Sequence, residues 1–290
     1  MRYLWVCAVT PGGSWAAAER LAPARSTGTI DGVHPEIEVV AHRGASAHRA
    51  EHTRAAYELA IADGADGLEC DVRLTRDGHL VCVHDRLLER TSDGTGPVSA
   101  HTLAELAELD FASWSGAEPE IGVLTLDALL AMVADHDRPV RLFVETKHPI
   151  RYGGQVEREL VRLLARYGKA GPLSLDTAEV VVMSFSSAAM RRVKRLAPAV
   201  PTVLLTAGPP RKLPPWADIL GPGIRKLRAD PGFVERAAAR GRPTYCWTVN
   251  EPEDVRLCAD LGVRYLATDS PSATRSLLAG EGSTTVAKPK

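Results

Sequence analysis

Between residues 39 and 91, three short apolar runs each end in ionisable residues. The runs end in His42-Arg43-Gly44, in Glu69-Cys70-Asp71 and in His84-Asp85. Charged groups avoid protein interiors unless a partner compensates them, so charged strand ends are costly as structure alone. One such cluster would say little about function. Three within one short segment predict a shared polar mouth where several strands end, which is where an α/β barrel carries its active site.

Two carboxylates in this set point to a metal ion. Glu69 and Asp71 are two positions apart on a predicted strand, so both side chains lie on the same face. Neighbouring carboxylates repel each other unless a proton or a cation lies between them. Oxygen ligands of this kind suit the hard divalent cations Mg²⁺, Ca²⁺ or Mn²⁺. We therefore expect one divalent cation here.

The remaining polar residues add proton transfer and anion binding. His42 and His84 can each give or take a proton near neutral pH. Arg43 carries a planar, permanently charged guanidinium that is suited to phosphate. Two imidazoles, a guanidinium and a hard cation together form a plausible set for cleaving a phosphodiester.

The elements that position these residues can be predicted from the same stretch. Residues 37–41, 67–72 and 80–83 read as three strands, and Thr53 is placed to cap a helix that ends near Ala62. Only four residues, 75–78, separate the second and third strands, and they end in the tight-turn pair Asp-Gly. We expect the barrel to lack a helix at this point.

A long connection follows the third strand and leads to a further polar strand end. Residues 86–138 are too many for a simple loop, and we interpret them as an insertion over the mouth. The next strand, 140–144, is followed by Glu145 and Lys147, which share a face. Glu145 would be a third carboxylate and Lys147 a second cation for phosphate. Taken alone, this pair could also be a surface ion pair.

The rest of the sequence alternates between strand and helix patterns, as parallel βαβ units do. Nine strand-like runs can be counted if residues 224–227 are included, whereas a barrel has eight places; residues 207–223 read as a loop. We predict a (β/α)8 TIM-type barrel with an insertion after the third strand. The predicted division is a loose N-terminal extension at 1–36, the barrel at 37–279 and a C-terminal tail at 280–290.

Composition limits the possible partners and the compartment. The formal net charge of −1 gives no overall attraction to nucleic acid, and no apolar run approaches the ~20 residues of a membrane span. The apolar run at residues 3–9 has only the minimum length of the hydrophobic region of a signal sequence. The cysteines are odd in number and form no C-x-x-C pair, which favours a reducing, cytoplasmic location over secretion. Oligomeric state is left open.

From about residue 39 to residue 271 the sequence resembles the glycerophosphodiester phosphodiesterase family, whose fold is a (β/α)8 barrel. The matching motifs are H-R-G at His42, E-x-T at Glu51, G-A-D-G-L-E-C-D-V up to Val72, D-G-x-x-V-x-x-H-D up to Asp85, R-T-S-D-G-T-G after Glu89, E-T-K at Glu145, M-S-F-S at Met183, W-T-V-N at Trp247 and A-T-D-S-P at Ala267. The sequence departs from the family at His52, where Asn is usual, and at Ala50, where Pro is usual.

The resemblance implies hydrolysis of small-molecule glycerophosphodiesters to sn-glycerol 3-phosphate and an alcohol. It implies an acid/base pair (His42 and His84), three ligands of a divalent cation (Glu69, Asp71 and Glu145), two phosphate-binding residues (Arg43 and Lys147) and a pocket wall (Trp247). Two alternatives remain at this point. One is a lysophospholipase D or phosphoinositide-type phospholipase on the same barrel, and the other is a non-catalytic barrel that binds phosphodiesters. The sequence also leaves open which histidine is the acid, and whether water or a substrate hydroxyl attacks.

Overall fold

The computed structural model describes residues 37–119, 121–149, 153–171, 174–207, 214 and 216–280. The strands in these ranges are β1 (Glu38–His42), β2 (Gly67–Leu74), β3 (Leu80–Cys82), β4 (Arg141–Thr146), β5 (Val180–Ser184), β6 (Thr202–Thr206), β7 (Ile219–Pro222), β8 (Tyr245–Cys246) and β9 (Tyr265–Thr268). Eight of them lie side by side and parallel, in the order β7-β6-β5-β4-β2-β1-β9-β8. Two parallel bridges, Leu220 to Thr244 and Gly223 to Trp247, join the two ends of this row. The predicted parallel barrel is therefore confirmed.

Helices follow most of the barrel strands. They are α1 (Arg54–Ala62), α2 (Leu103–Leu106), α3 (Leu126–Ala134), α4 (Gln155–Arg166), α5 (Ser187–Leu196), α6 (Ile224–Ala229), α7 (Phe233–Ala238), α8 (Pro252–Leu261) and α9 (Pro271–Leu278). Thr53 caps α1 as predicted, since its hydroxyl accepts a hydrogen bond from the Ala56 N–H at 3.2 Å. Within the described ranges, no helix combines the length and the apolar character that crossing a bilayer requires.

The third strand does not belong to the barrel, so the expectation that the barrel lacks a helix between its second and third strands is wrong. β3 pairs antiparallel with the end of β2, from Val72 opposite Cys82 to Leu74 opposite Leu80. β2 pairs with β4 as far as Val72, so its last two residues extend past the sheet before the chain turns back. The hairpin brings the returning chain to the mouth, where the Val83 N–H donates to the Asp71 carbonyl at 3.0 Å.

One barrel strand lies in a stretch that was predicted to be a loop. Residues 224–227, the weakest of the nine strand-like runs, begin α6, and the barrel strand is β7, which lies within the predicted loop at 207–223. β7 is only four residues long and contains Gly221 and Pro222. A Cβ on Gly221 would lie 2.7 Å from Leu205 Cδ2 and 2.8 Å from Val203 Cγ1, so the close approach of β6 requires glycine there. These Gly and Pro residues are the reason that the segment reads as a loop.

Strand alternation separates an inner apolar layer from an outer one. On β4, Phe143 belongs to the inner cluster of Val40, Val181, Met183, Val203, Leu205, Ile219, Tyr245, Tyr265 and Ala267. Leu142 and Val144 face the helices, together with Leu68, Cys70 and Val72 of β2. Because side chains alternate along a strand, Glu145 lies on the same inner face as Phe143. The inner cluster therefore packs directly next to the polar carboxyl end of the barrel.

The four cysteines in the described ranges, Cys70, Cys82, Cys246 and Cys258, are buried and unpaired by disulfides.

The segment between β3 and β4 has two parts. In α3, Leu126, Leu129 and Leu130 are buried in the same cluster as Leu142 and Val144 of β4, so this helix belongs to the outer layer of the barrel. The residues before it have a separate small core made of Val81, Val83, Leu88, Val98, Leu106 and Phe111. The predicted insertion, residues 86–138, thus contains both a segment with its own small core and the helix α3, which packs in the outer layer of the barrel. The predicted extension at 1–36 and residues 281–290 of the tail lie outside the described residues.

Candidate active site

Three carboxylates from neighbouring strands converge at the carboxyl end of the barrel. Glu69, Asp71 and Glu145 each offer an oxygen, and these oxygens lie within 4.8 Å of one another. Asp71 of β2 lies directly opposite Glu145 of β4, and Glu69 is the preceding residue of β2 whose side chain faces inward. All three are buried, with exposed fractions of 1%, 1% and 7%. We call these three residues the carboxylate triad.

With all three carboxyl groups ionised, the triad would carry more negative charge than its surroundings compensate. Burial and the neighbouring Asp71 raise the pKa of Glu69 well above its usual range, and they raise the pKa of Glu145 to about 8. For Asp71 burial also acts upward, but the hydrogen bond from His52 and the charge of Lys147 outweigh it and lower the pKa. Two cationic side chains stand against three buried carboxylates. This donor set fits a hard divalent cation.

Lys147 and Arg43 are the two cations. Lys147 Nζ lies 2.9 Å from Glu145 Oε1 and 3.2 Å from Asp71 Oδ1. Arg43 has a φ of 59°, and its backbone N–H donates to Glu69 Oε2 at 3.0 Å. Its Nε lies 3.1 Å from Asp71 Oδ2 without forming a hydrogen bond. Both predicted phosphate-binding residues thus lie beside the triad.

His42 is held by a carboxylate from the last strand. Its Nδ1 lies 2.7 Å from Asp269 Oδ1, directly after β9, the barrel neighbour of β1. The Ser46 hydroxyl donates to the same oxygen at 3.0 Å, and Asn250 Nδ2 donates to the other at 2.6 Å. With Nδ1 engaged, Nε2 is left for proton transfer.

His84 is held in the same way by its neighbour. Its Nδ1 lies 2.6 Å from Asp85 Oδ1, and Arg90 Nε donates to Asp85 Oδ2 at 2.5 Å. The two Nη atoms of Arg90 also donate to both oxygens of Glu51, at 2.7 and 2.8 Å. Glu51 in turn accepts from Arg43 Nη1 at 3.1 Å. A continuous chain of charged groups thus links the imidazole of His84 to Arg43.

Asp85 and Glu51 stay ionised in this chain. Burial acts to raise the pKa of Asp85, but hydrogen bonds from Arg90 and His84 outweigh it and lower the pKa to about 2. Burial likewise opposes the ionisation of Glu51, and the Arg90 hydrogen bonds with the charge of Arg43 lower its pKa to about 2. Burial is the main cause that lowers the pKa of His84.

Trp247 follows β8 and packs on the inner apolar cluster. Its Nε1–H donates to the Gly221 carbonyl at 2.9 Å. The ring of Phe185 meets it edge-on, with centroids 5.2 Å apart, and is 44% exposed. An aromatic pair therefore lies at the carboxyl ends of β5 and β8.

Sequence reasoning gave no functional role to four residues of this network. Glu51, Arg90 and Asp269 hold the residues predicted to act, and His52 is buried against the triad. A signal existed for Glu51 and Asp269, which stand in the motifs E-x-T and A-T-D. Arg90 also stands in a matching motif, R-T-S-D-G-T-G, but no local pattern indicates its pairing with Glu51, which is 39 positions away.

The chain is similar to proteins of a known enzyme family. Residues 42–273 match the model of the Glycerophosphoryl diester phosphodiesterase family. A probable glycerophosphodiester phosphodiesterase 1 of Mycobacterium tuberculosis is 53% identical over 83% of this chain and 92% of its own length. A glycerophosphodiester phosphodiesterase of Bacillus subtilis is 33% identical over 81% of this chain and 84% of its own length.

Solved structures show the same fold. A phosphodiesterase of Oleispira antarctica, in complex with the product sn-glycerol-3-phosphate, aligns with a TM-score of 0.74 and 25% identity over 83% of this chain and 96% of its own. A putative glycerophosphoryl diester phosphodiesterase of Silicibacter pomeroyi aligns with a TM-score of 0.75 and 26% identity, covering 85% and 94% of the two chains. The match to the family model spans most of the described residues, so the chain belongs to the glycerophosphoryl diester phosphodiesterase family of enzymes.

Proposed function

We propose that this protein hydrolyses glycerophosphodiesters to sn-glycerol 3-phosphate and an alcohol, using a divalent cation and histidine acid/base catalysis. The observation that carries the proposal is the carboxylate triad accompanied by two imidazoles, each held by a carboxylate. The product found in the Oleispira antarctica relative supports sn-glycerol 3-phosphate as the common product.

Glu69, Asp71 and Glu145 would hold the cation, either Mg²⁺ or Ca²⁺, with Mn²⁺ also suited to the oxygen donors. When bound, such an ion supplies a Lewis acid that neutralises a phosphate oxygen and lowers the pKa of a hydroxyl or water. Lys147 and Arg43, which flank the triad, would bind the other phosphate oxygens.

His42 and His84 would share the proton transfers. One imidazole removes a proton from the nucleophile, and the other protonates the leaving alkoxide. Asp269 and Asp85 hold the Nδ1 atoms, so Nε2 of each ring is the atom that exchanges the proton. The indole of Trp247, which closes the inner cluster beside β8, would line the substrate pocket.

The test is turnover of glycerophosphocholine with and without EDTA, in the native protein and in Glu69→Gln. We expect the native enzyme to lose activity in EDTA and to regain it with Mg²⁺ or Ca²⁺. Glu69→Gln should fold and show no metal-dependent turnover, because the amide removes one charge from the triad. Glu38→Gln is the matched control, since Glu38 pairs with Arg141 and Arg264 at the opposite end of β1. Full activity of Glu69→Gln in EDTA would refute the metal assignment.

A further inference from the structure

His52 lies in the connection from β1 to α1 in an unusual backbone conformation. Its φ is 62°, in the left-handed region, and its side chain is 4% exposed. A residue with a Cβ adopts this conformation only at a cost in free energy. A strained and fully buried polar residue beside a cluster of carboxylates is a candidate for a functional role.

The imidazole contacts Asp71 directly and is linked through Tyr57 to the backbone of Glu69. Nε2 lies 3.0 Å from Asp71 Oδ2, and Nδ1 lies 2.8 Å from the Tyr57 hydroxyl. That hydroxyl is also 3.0 Å from the backbone carbonyl of Glu69. The backbone N–H of His52 donates to the Arg43 carbonyl at 3.1 Å. The ring thus ties the β1–α1 loop to the Asp71 carboxylate and, through Tyr57, to the β2 backbone at Glu69.

The direction of these hydrogen bonds follows from the partners. A carboxylate can only accept, so Nε2 carries the proton donated to Asp71. The Glu69 carbonyl also can only accept, so the Tyr57 hydroxyl donates its single proton there, and the hydroxyl oxygen faces Nδ1 of His52. Asp71 Oδ2 is therefore held by His52. Asp71 Oδ1 lies on the side of Glu145, where Lys147 Nζ contacts both Asp71 Oδ1 and Glu145 Oε1.

We propose that His52 is a positioning residue of the cation site, which fixes the carboxylate of Asp71 so that Oδ1 faces the other two members of the triad. The inference rests on the proposed function. A carboxylate with one oxygen held cannot rotate freely, so the ligands are arranged before the cation arrives. The contact to Tyr57 holds the ring from its other side.

The experiment titrates Mg²⁺ and Ca²⁺ calorimetrically into the native protein, His52→Gly and His52→Asn. Glycine adopts a φ of 62° without strain, so it removes the side chain and leaves the backbone unstrained. We expect His52→Gly to bind the cation about 10–100-fold more weakly. Asn tolerates the same backbone and keeps an N–H donor, so His52→Asn should recover part of the affinity.

Two further variants separate positioning from a general loss of stability. Tyr57→Phe keeps the ring and removes the hydroxyl, and it should weaken cation binding less than His52→Gly does. Val255→Ala truncates a buried residue of α8 in a separate apolar cluster, and it should lower the melting temperature without changing cation affinity.

The possible outcomes distinguish this inference from the proposed function. A native protein that binds neither cation and keeps its turnover in EDTA would overturn the proposed function, and the inference with it. Native cation affinity in His52→Gly would overturn the inference alone. Equal losses in His52→Gly and His52→Asn, matched by Val255→Ala, would show that His52 serves only packing.

Discussion

The two imidazoles at the mouth make the same contact but are supported by different parts of the molecule. Nδ1 of His42 lies 2.7 Å from Asp269, and Nδ1 of His84 lies 2.6 Å from Asp85. His42 and Asp269 are 227 positions apart and come together because β1 and β9 are neighbours in the barrel. Sheet register, fixed by backbone hydrogen bonds, therefore sets the geometry of the His42 pair.

The second pair depends on charge. His84 and Asp85 are adjacent in sequence and follow β3, which lies outside the barrel. Arg90 holds Asp85 from within the insertion and connects it to Glu51. The pair formed by barrel register and the pair formed by ion pairs should therefore respond differently to the same kind of change. The difference shows that the same His–Asp contact can be assembled by a rigid scaffold or by a chain of charged side chains.

The largest expected effect on kcat comes from removing either imidazole. His42→Ala and His84→Ala should each lower kcat for glycerophosphocholine by about 10²–10⁴-fold, because positioned proton transfer typically contributes that much. Both variants should still bind substrate, since Arg43, Lys147 and the triad remain. The double variant should lose less than the product of the two losses, because the residues act as a unit. Near-normal turnover in both single variants would contradict the acid/base assignment.

The next largest effect on kcat comes from removing the carboxylate that holds each imidazole. A hydrogen bond to a charged group contributes about 1.5–3 kcal/mol, so Asp269→Asn and Asp85→Asn should each lower kcat roughly 10–150-fold. Steady-state kinetics at saturating substrate measure the change. Equal losses would show that the two supports are equivalent in strength. A loss confined to one variant would indicate that the other ring does not transfer a proton in the slow step.

A smaller effect on kcat should come from replacing Arg90, and this change should act only through the His84–Asp85 pair. Arg90→Gln removes the donors to Asp85 and Glu51, so it should reduce kcat less than Asp85→Asn does. Combined with Asp85→Asn it should show a coupling of at least about 0.5 kcal/mol, because both act on one network. Combined with Asp269→Asn it should be additive. Strong coupling to Asp269→Asn would show that the two supports are not separate.

The smallest effect concerns stability in acid. The folded-state pKa values of Glu51 and Asp85 are about 2, below their ordinary values of 4.5 and 3.8. Groups with lowered pKa values stabilise the fold above the ordinary value, and this stability is lost as the pH falls from about 4.5 toward 2. In Arg90→Gln both pKa values should rise, so less of this stability exists at neutral pH. Chemical denaturation at pH 7 and pH 3 should show a smaller difference for Arg90→Gln than for the native protein, and Arg162→Gln, in an exposed pair with Glu159, should behave as native.

Much of the barrel and the neighbourhood of the triad could be predicted from local patterns. Alternation along a strand places Glu69 and Asp71 on one face, and it places Glu145 on the face of Phe143. Parallel strands that end at the same edge then bring their polar ends together. These features depend only on the period of a strand and on the alternation of strands with helices, which the amino-acid sequence contains directly.

Other features were decided only by tertiary structure. Three apolar residues at β3 look the same whether they join the barrel or fold back on β2, and four residues with Gly and Pro at β7 look like a loop until β6 packs beside them. Asp269 reaches His42 only because β9 closes the barrel next to β1. Arg90 reaches Glu51 only because the insertion folds back. Spatial proximity between distant residues depends on how strands pair and close, and no local pattern of residues specifies that.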